Sequence, residues 1–155
     1  QIYFGGLVGT EYKLCKFNTA EGSSSYNDNG AAITATWGTP DDNDIGTQYY
    51  KVMQKKGSMC TTKPYTNSSV EIYASADGNT RELIGGGNSS SGSFSGMSFG
   101  TGTFKGSSYP QDKFFTKKKK KYKRLQLIME NAELNQAFGI IEIVKTWYPT
   151  RYARS

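Results

Sequence analysis

Five consecutive lysines, Lys117 to Lys121, followed by Lys123 and Arg124, form the densest run of charge in the chain. Ammonium and guanidinium groups at that spacing could neutralise several backbone phosphates, with Tyr122 or Phe115 stacking on a base. The same residues also suit the wet end of a strand. Alternation sends adjacent side chains of an extended chain to opposite faces, lysine guards exposed strand edges, and its long stem covers apolar surface. No recognised nucleic-acid module accompanies the run. A solvated strand end, or a contact with an acidic protein partner, is therefore preferred, and nucleic-acid association is the weaker alternative.

The carboxylates suggest less chemistry. Asp41, Asp42 and Asp44 cluster after Pro40, but the glycine and distal glutamate of a calcium loop are absent at the required spacing, so a solvated turn is expected. Glu71, Glu82, Glu130, Glu133 and Glu142 lie on or beside strand-like runs with nothing to separate their pKa values, which leaves general acid–base catalysis without a pair. The chain has no histidine, which removes the usual zinc sets and the Ser-His-Asp and Cys-His nucleophiles. Cys15 and Cys60 read as separate buried thiols. The Gly/Ser-rich stretch 85–108 lacks the strand-before, helix-after setting and the lysine of a phosphate loop. No enzymatic activity, cofactor or metal is expected. Tyr73, Trp147 and Tyr148 could stack on sugar rings, whereas Trp37, on an apolar strand face, is expected in the core.

The elements that must position these residues are strands. Eighteen glycines beside abundant Thr, Ser, Tyr and Ile point to strands joined by turns. At 155 residues, with 14% aromatics, the chain suits one domain or two small ones sharing a core. No run of about 18 apolar residues exists, so membrane insertion is not expected. Charge is uneven: residues 1–77 carry 6 Lys/Arg against 8 Asp/Glu, and residues 78–155 carry 13 against 5, giving −2 and +8. Gln1 in place of Met suggests a fragment or a processed product.

QIYFGG and EYKLCKF read as an N-terminal strand pair within residues 1–20. A sandwich domain is expected over 27–150. Within it, AAITATW alternates with period two, TQYYKVMQKKGSMCTT is a strand run with a bulge or turn at Gly57, and SSVEIYASADGN with RELIGG forms a hairpin about Asp77-Gly78. Residues 85–108 are expected as a long loop, partly anchored by Phe94, Met97, Phe99 and Phe104. Beyond it, Lys121, Lys123, Leu125, Leu127 and Met129 fall on one face of a single strand running from the lysines into the core. After the NAELNQAFG loop, IIEIVKTWYP forms the last strand. The expected architecture is all-β, an antiparallel, jelly-roll-like β-sandwich of about seven to nine strands with Gly/Ser-rich loops.

Several of these segments resemble the C-terminal part of tailed-phage and prophage structural proteins, in which the end of a β-propeller is followed by a β-sandwich-like region. QIYFGGLVGTEYKLCKF resembles the strand pair that ends a propeller, and YNDNGAAITATWGTP the turn and tryptophan strand after it. YYKVMQKKG with SSVEIYASADG is similar to the next paired strands, and FGTGTF and KYKRLQLIMENAELNQAFGIIEIV to the second half. The five-lysine run and the DDND turn depart from the pattern. The resemblance implies a non-catalytic virion component of the tail or neck, with other virion structural proteins as partners in a homo- or hetero-oligomer. It makes residues 1–20 the remnant of a preceding propeller blade. The alternative is a carbohydrate-binding or host-receptor-binding β-domain, with a host-surface glycan stacked on Tyr73, Trp147 or Tyr148.

Overall fold

The cleanest alternation in the sequence lies at the centre of the fold. β8 (Ser68–Ala76) and β12 (Leu125–Asn131) pair antiparallel, setting Leu127 opposite Ala74 and Met129 opposite Ile72. Every second residue of each strand is buried, which puts Val70, Ile72, Ala74, Leu125, Leu127 and Met129 on one inner face. β5 (Ala35–Gly38) extends this sheet beyond β12, and β9 (Glu82–Ser89) extends it beyond β8, giving the order β5-β12-β8-β9. The structure is a computed structural model that describes residues 3–8, 10–16, 27–28, 31–64, 68–89 and 109–152.

The expected Asp77-Gly78 hairpin is present. Both residues have left-handed φ, 52° and 73°, and the Asn79 N–H donates to the Ala76 carbonyl at 3.0 Å. The return strand runs further than expected. Residues 85–89 belong to β9 and not to a loop, and Gly86 shows why glycine suits the position. Its φ is 126°, and a Cβ there would stand 2.3 Å from the Val70 carbonyl oxygen. The strand therefore continues because glycine allows its backbone this close to β8. Residues 90–108, with the expected aromatic anchors, lie outside the described residues.

The facing layer is built from three chain segments, each split in two. β6 (Tyr49–Met53) leads into β7 (Met59–Pro64), β10 (Gln111–Phe114) into β11 (Lys119–Tyr122), and β13 (Phe138–Val144) into β14 (Trp147–Tyr152). The strand orders β10-β7-β13 and β11-β6-β14 are the same three segments on either side of one corner. Ser58 holds that corner. Its hydroxyl, fully buried, donates to the Gln54 carbonyl at 2.6 Å and accepts the Thr146 N–H at 2.9 Å, while its own carbonyl takes the Phe115 N–H. Gly57, with φ 79°, completes the turn, one of the two forms, bulge or turn, expected there from the sequence.

The two layers enclose Met53, Cys60, Ile84, Phe115 and Tyr122 together with the inner face of β8 and β12. Cys60 is a free, buried thiol, and burial pushes its pKa up to about 11. Among the described residues all ladders are antiparallel and no helix occurs. The chain is therefore all-β, with antiparallel sheets packed together as in a β-sandwich and, among the described residues, no closed barrel. β1 (Tyr3–Val8) and β2 (Glu11–Lys16) form a separate two-stranded sheet, and β3 (Asn27–Asp28) pairs with β4 (Ala31–Ala32).

Three expectations need correction. Lys117 to Met129 do not form one strand. Lys121 adopts φ 55°, Lys123 and Arg124 bend, and the chain leaves β6 to join β8 in the other layer. This break slips the alternation by one residue, so Tyr122 is buried with Leu125, Leu127 and Met129. Similarly, IIEIVKTWYP is cut at Lys145-Thr146 into β13 and β14, so that among the described residues the strands of the sandwich are shorter and more numerous than the expected seven to nine. Trp37 is 46% exposed and not a core residue, because β5 is the outer strand of its sheet.

Candidate functional site

β5 and β13 are both outer strands, one in each layer, and the side of the sandwich between them is open. An apolar groove of about 590 Å³ lies there, with Ile33, Trp37, Phe138, Ile140, Ile141 and Ile143 among its walls. Ile33, Trp37 and Ile141 are each about half exposed, 51%, 46% and 55%. The local reason is a register break. Ile140 pairs with Thr62 and Glu142 with Thr61, so Ile141 is the extra residue of a bulge and stands out on the rim.

The groove continues past Ile143 into a second one of about 530 Å³, lined by Thr39, Asp41, Asp42, Leu125, Leu127 and Lys145 among others. This end is polar. Lys145 Nζ lies 2.7 Å from both Asp42 Oδ2 and Asp44 Oδ1, joining the β5–β6 connection to the corner after β13. The hydrogen bond from Lys145, then that from the Asp44 N–H, holds the Asp42 carboxyl below its usual range. Asp44 is therefore not the solvated acid its sequence context suggested. Its side chain is 6% exposed, and its second oxygen has no hydrogen-bond partner.

Behind this clamp sits Lys51, fully buried in the central strand β6. Its ammonium donates to the Asn43 carbonyl and, at 2.6 Å, to that of Lys123. Burial lowers its pKa, and Asp44 opposes that shift. The neighbouring Tyr122 hydroxyl is buried without a partner, and burial together with Asp44 and Asp42 keeps it protonated well beyond the ordinary tyrosine range.

The residues singled out in the sequence fall elsewhere. Lys119 reaches Glu82 at 2.8 Å and Lys117 the same carboxylate at 3.7 Å, while Arg124 stands 3.8 Å from Asp41. Lys123 lies over the Tyr50 ring at 5.5 Å. Lys118, Lys120 and Lys121 are exposed and have no ion pair among the described residues. The run is thus spread along the outer strand β11 and its flanks, with three of its seven cations paired to two carboxylates, Glu82 and Asp41. Tyr73 lies in β8 with its hydroxyl 2.6 Å from Glu71 and the Arg81 guanidinium 4.5 Å above its ring. Trp147 and Tyr148 lie in β14, in the other layer, and none of the three lines a groove described above.

Sequence reasoning missed Lys51, Lys145 and the exposed face of β5. A lysine inside the apolar run YYKVM was the available signal for the first, since a cation at an inward-facing strand position must find buried acceptors. Among the described residues no group of three metal-ligating side chains assembles, and no helix is long and apolar enough to cross a membrane. No protein-family model, curated protein or solved structure matches the chain.

Proposed function

We propose that this chain is a structural component of a phage virion, in the tail or neck, acting through protein–protein contacts. The observation that carries the reading is the apolar cleft between the two outer strands. Half-exposed Ile33, Trp37 and Ile141 on adjoining walls form a contiguous apolar surface of the kind that another protein covers. The resemblance of QIYFGGLVGTEYKLCKF, YNDNGAAITATWGTP and the later segments to phage structural proteins supplies the particle.

A glycan-binding role has less support. Tyr73 is already engaged by Glu71 and Arg81, and Trp147 and Tyr148 stand apart from it. Saturable glycan binding lost on Trp147→Ala or Tyr148→Ala would revive that role. The virion reading is tested by isolating the particle that holds this chain and determining its mass and symmetry. Many copies at fixed, symmetric positions in a tail or neck are expected. Recovery only as an isolated monomer without virion partners would overturn it.

A further inference from the structure

The cleft has two properties that specify what fills it. Among the described residues its walls end in strand edges that pair with no further strand, and carboxylates outnumber cations along its lining although the chain carries a net charge of +6. The Thr39 N–H donates to the Leu127 carbonyl at 2.9 Å, so the β5 groups facing β12 belong to odd-numbered residues. The amides of Thr36 and Gly38 therefore point the other way, toward the open side. Three carboxylates, Glu142, Asp41 and Asp42, line the two grooves, and Lys145 is the one cation among the lining residues. That cation is already held between Asp42 and Asp44, and Arg124, outside the lining, stands 3.8 Å from Asp41 in an exposed pair that a partner's Lys or Arg can share or replace.

We propose that the cleft between β5 and β13 accepts an extended segment of another protein as an added strand. The segment carries bulky apolar side chains at alternate positions and Lys or Arg at the end that lies by Asp41 and Asp42. Backbone groups on the β5 edge supply the ladder, Ile33, Trp37, Phe138 and Ile141 take the alternate apolar side chains, and the carboxylates fix the direction. The occupant is thus defined by charge complementarity as well as by the free edge. The proposal rests on reading the cleft as a protein-contact surface and names the form of the partner.

The test uses the full chain carrying Trp147→Phe, which leaves Trp37 as the sole tryptophan reporter. The probe is a short synthetic peptide alternating valine and threonine with a pair of arginines at one end. Saturable binding with a blue shift of Trp37 emission is expected, weakened about tenfold or more when glutamates replace the arginines. Asp41→Asn with Glu142→Gln is expected to weaken binding several-fold, and Ile141→Thr likewise, both at exposed positions that leave the fold intact. Thr36→Ala, which keeps the edge amide, is expected to bind as the parent does, whereas Thr36→Pro, which removes it, is not.

Absence of peptide binding overturns the proposal, as does equal binding of the arginine and glutamate peptides. Trp37 shielded from acrylamide in the free chain would show the cleft filled by the chain's own residues. A concentration-dependent Trp37 shift without peptide would assign the cleft to a second copy. Either result also overturns the proposal. A symmetric particle recovered together with a failed peptide titration would reject strand addition and leave the virion reading standing.

Discussion

Two sets of lysines occupy this fold in opposite ways. Lys117 to Lys121 are consecutive, sit on an outer strand and its approach, and share a single exposed carboxylate, Glu82, between two of their number. Lys51, Lys113 and Lys145 each stand alone in the sequence, and each is enclosed. Lys51 is fully buried and Lys113 is 9% exposed, with its ammonium 2.5 Å from the Asn88 carbonyl. Lys145 is clamped between two aspartates. Charge density along the chain is therefore a poor guide to where charge matters. A buried ammonium must keep its acceptors, because losing them leaves a desolvated charge, while an exposed one is served by water whether or not a partner is near.

The largest test of this contrast is Lys51→Met. Methionine keeps the apolar stem but donates nothing, so the tie from β6 to the Asn43 and Lys123 carbonyls is lost. A stability loss of about 3 kcal/mol by chemical denaturation is expected, from two charge-assisted hydrogen bonds of which one acceptor lies near solvent. Burial also lowers the pKa of Lys51, so the unfolded chain binds more protons than the folded one at alkaline pH. Stability from this group rises as pH increases from the folded-state pKa toward 10.5, and Lys51→Met removes that rise. Lys113→Met, with one carbonyl acceptor and the same direction of pKa shift by burial, is expected to cost about 1.5 kcal/mol. An exposed-lysine value for either variant would erase the distinction.

Why the sequence showed one set of lysines and hid the other follows from what periodicity can report. Alternation identified β8, the Asp77-Gly78 hairpin and the apolar face of β12, because each depends on neighbours along one strand. It failed wherever a segment changed layers. Nothing in KKKKKYKRLQL announces that Lys121 turns to φ 55° and that Tyr122 and Leu125, three apart, share the interior. Nor does IVKTW reveal a corner, since that corner is set by Ser58 from a distant segment. The cleft was hidden for the same reason. Ile33 and Trp37 alternate as core residues do, and only the position of β5 at the sheet margin leaves them uncovered. The DDND cluster looked solvated because its partner Lys145 lies about a hundred residues away.

Lys145 allows an intermediate test through its partner. Asp42 has its pKa lowered first by the Lys145 hydrogen bond, so its contribution to stability is complete above the usual 3.8 and is lost as pH falls through the lower folded-state value. Asp42→Asn is expected to cost about 0.5 to 1 kcal/mol at neutral pH, a modest figure because water screens a carboxylate that is half exposed. The gap between parent and variant should close as denaturation is followed below pH 3.8. A gap that persists unchanged in acid would mean that the ion pair is not what the carboxylate contributes.

The smallest effect belongs to the residues that dominate the sequence. Lys118, Lys120 and Lys121 are exposed and without ion pairs among the described residues, so replacing all three by glutamine is expected to change stability by less than about 0.5 kcal/mol. Their effect should appear instead in association. Among the described residues β11 is an outer strand with one unpaired edge, these charges at and beside it oppose edge-to-edge pairing, and stripping them leaves its backbone groups able to pair with another β11. Light scattering should rise with concentration in the triple variant, while the denaturation midpoint of dilute protein stays near that of the parent. A shift in that midpoint larger than the one produced by Lys113→Met would reverse the ranking of the two lysine sets. A variant that stays monodisperse would show that the β11 edge needs no guard.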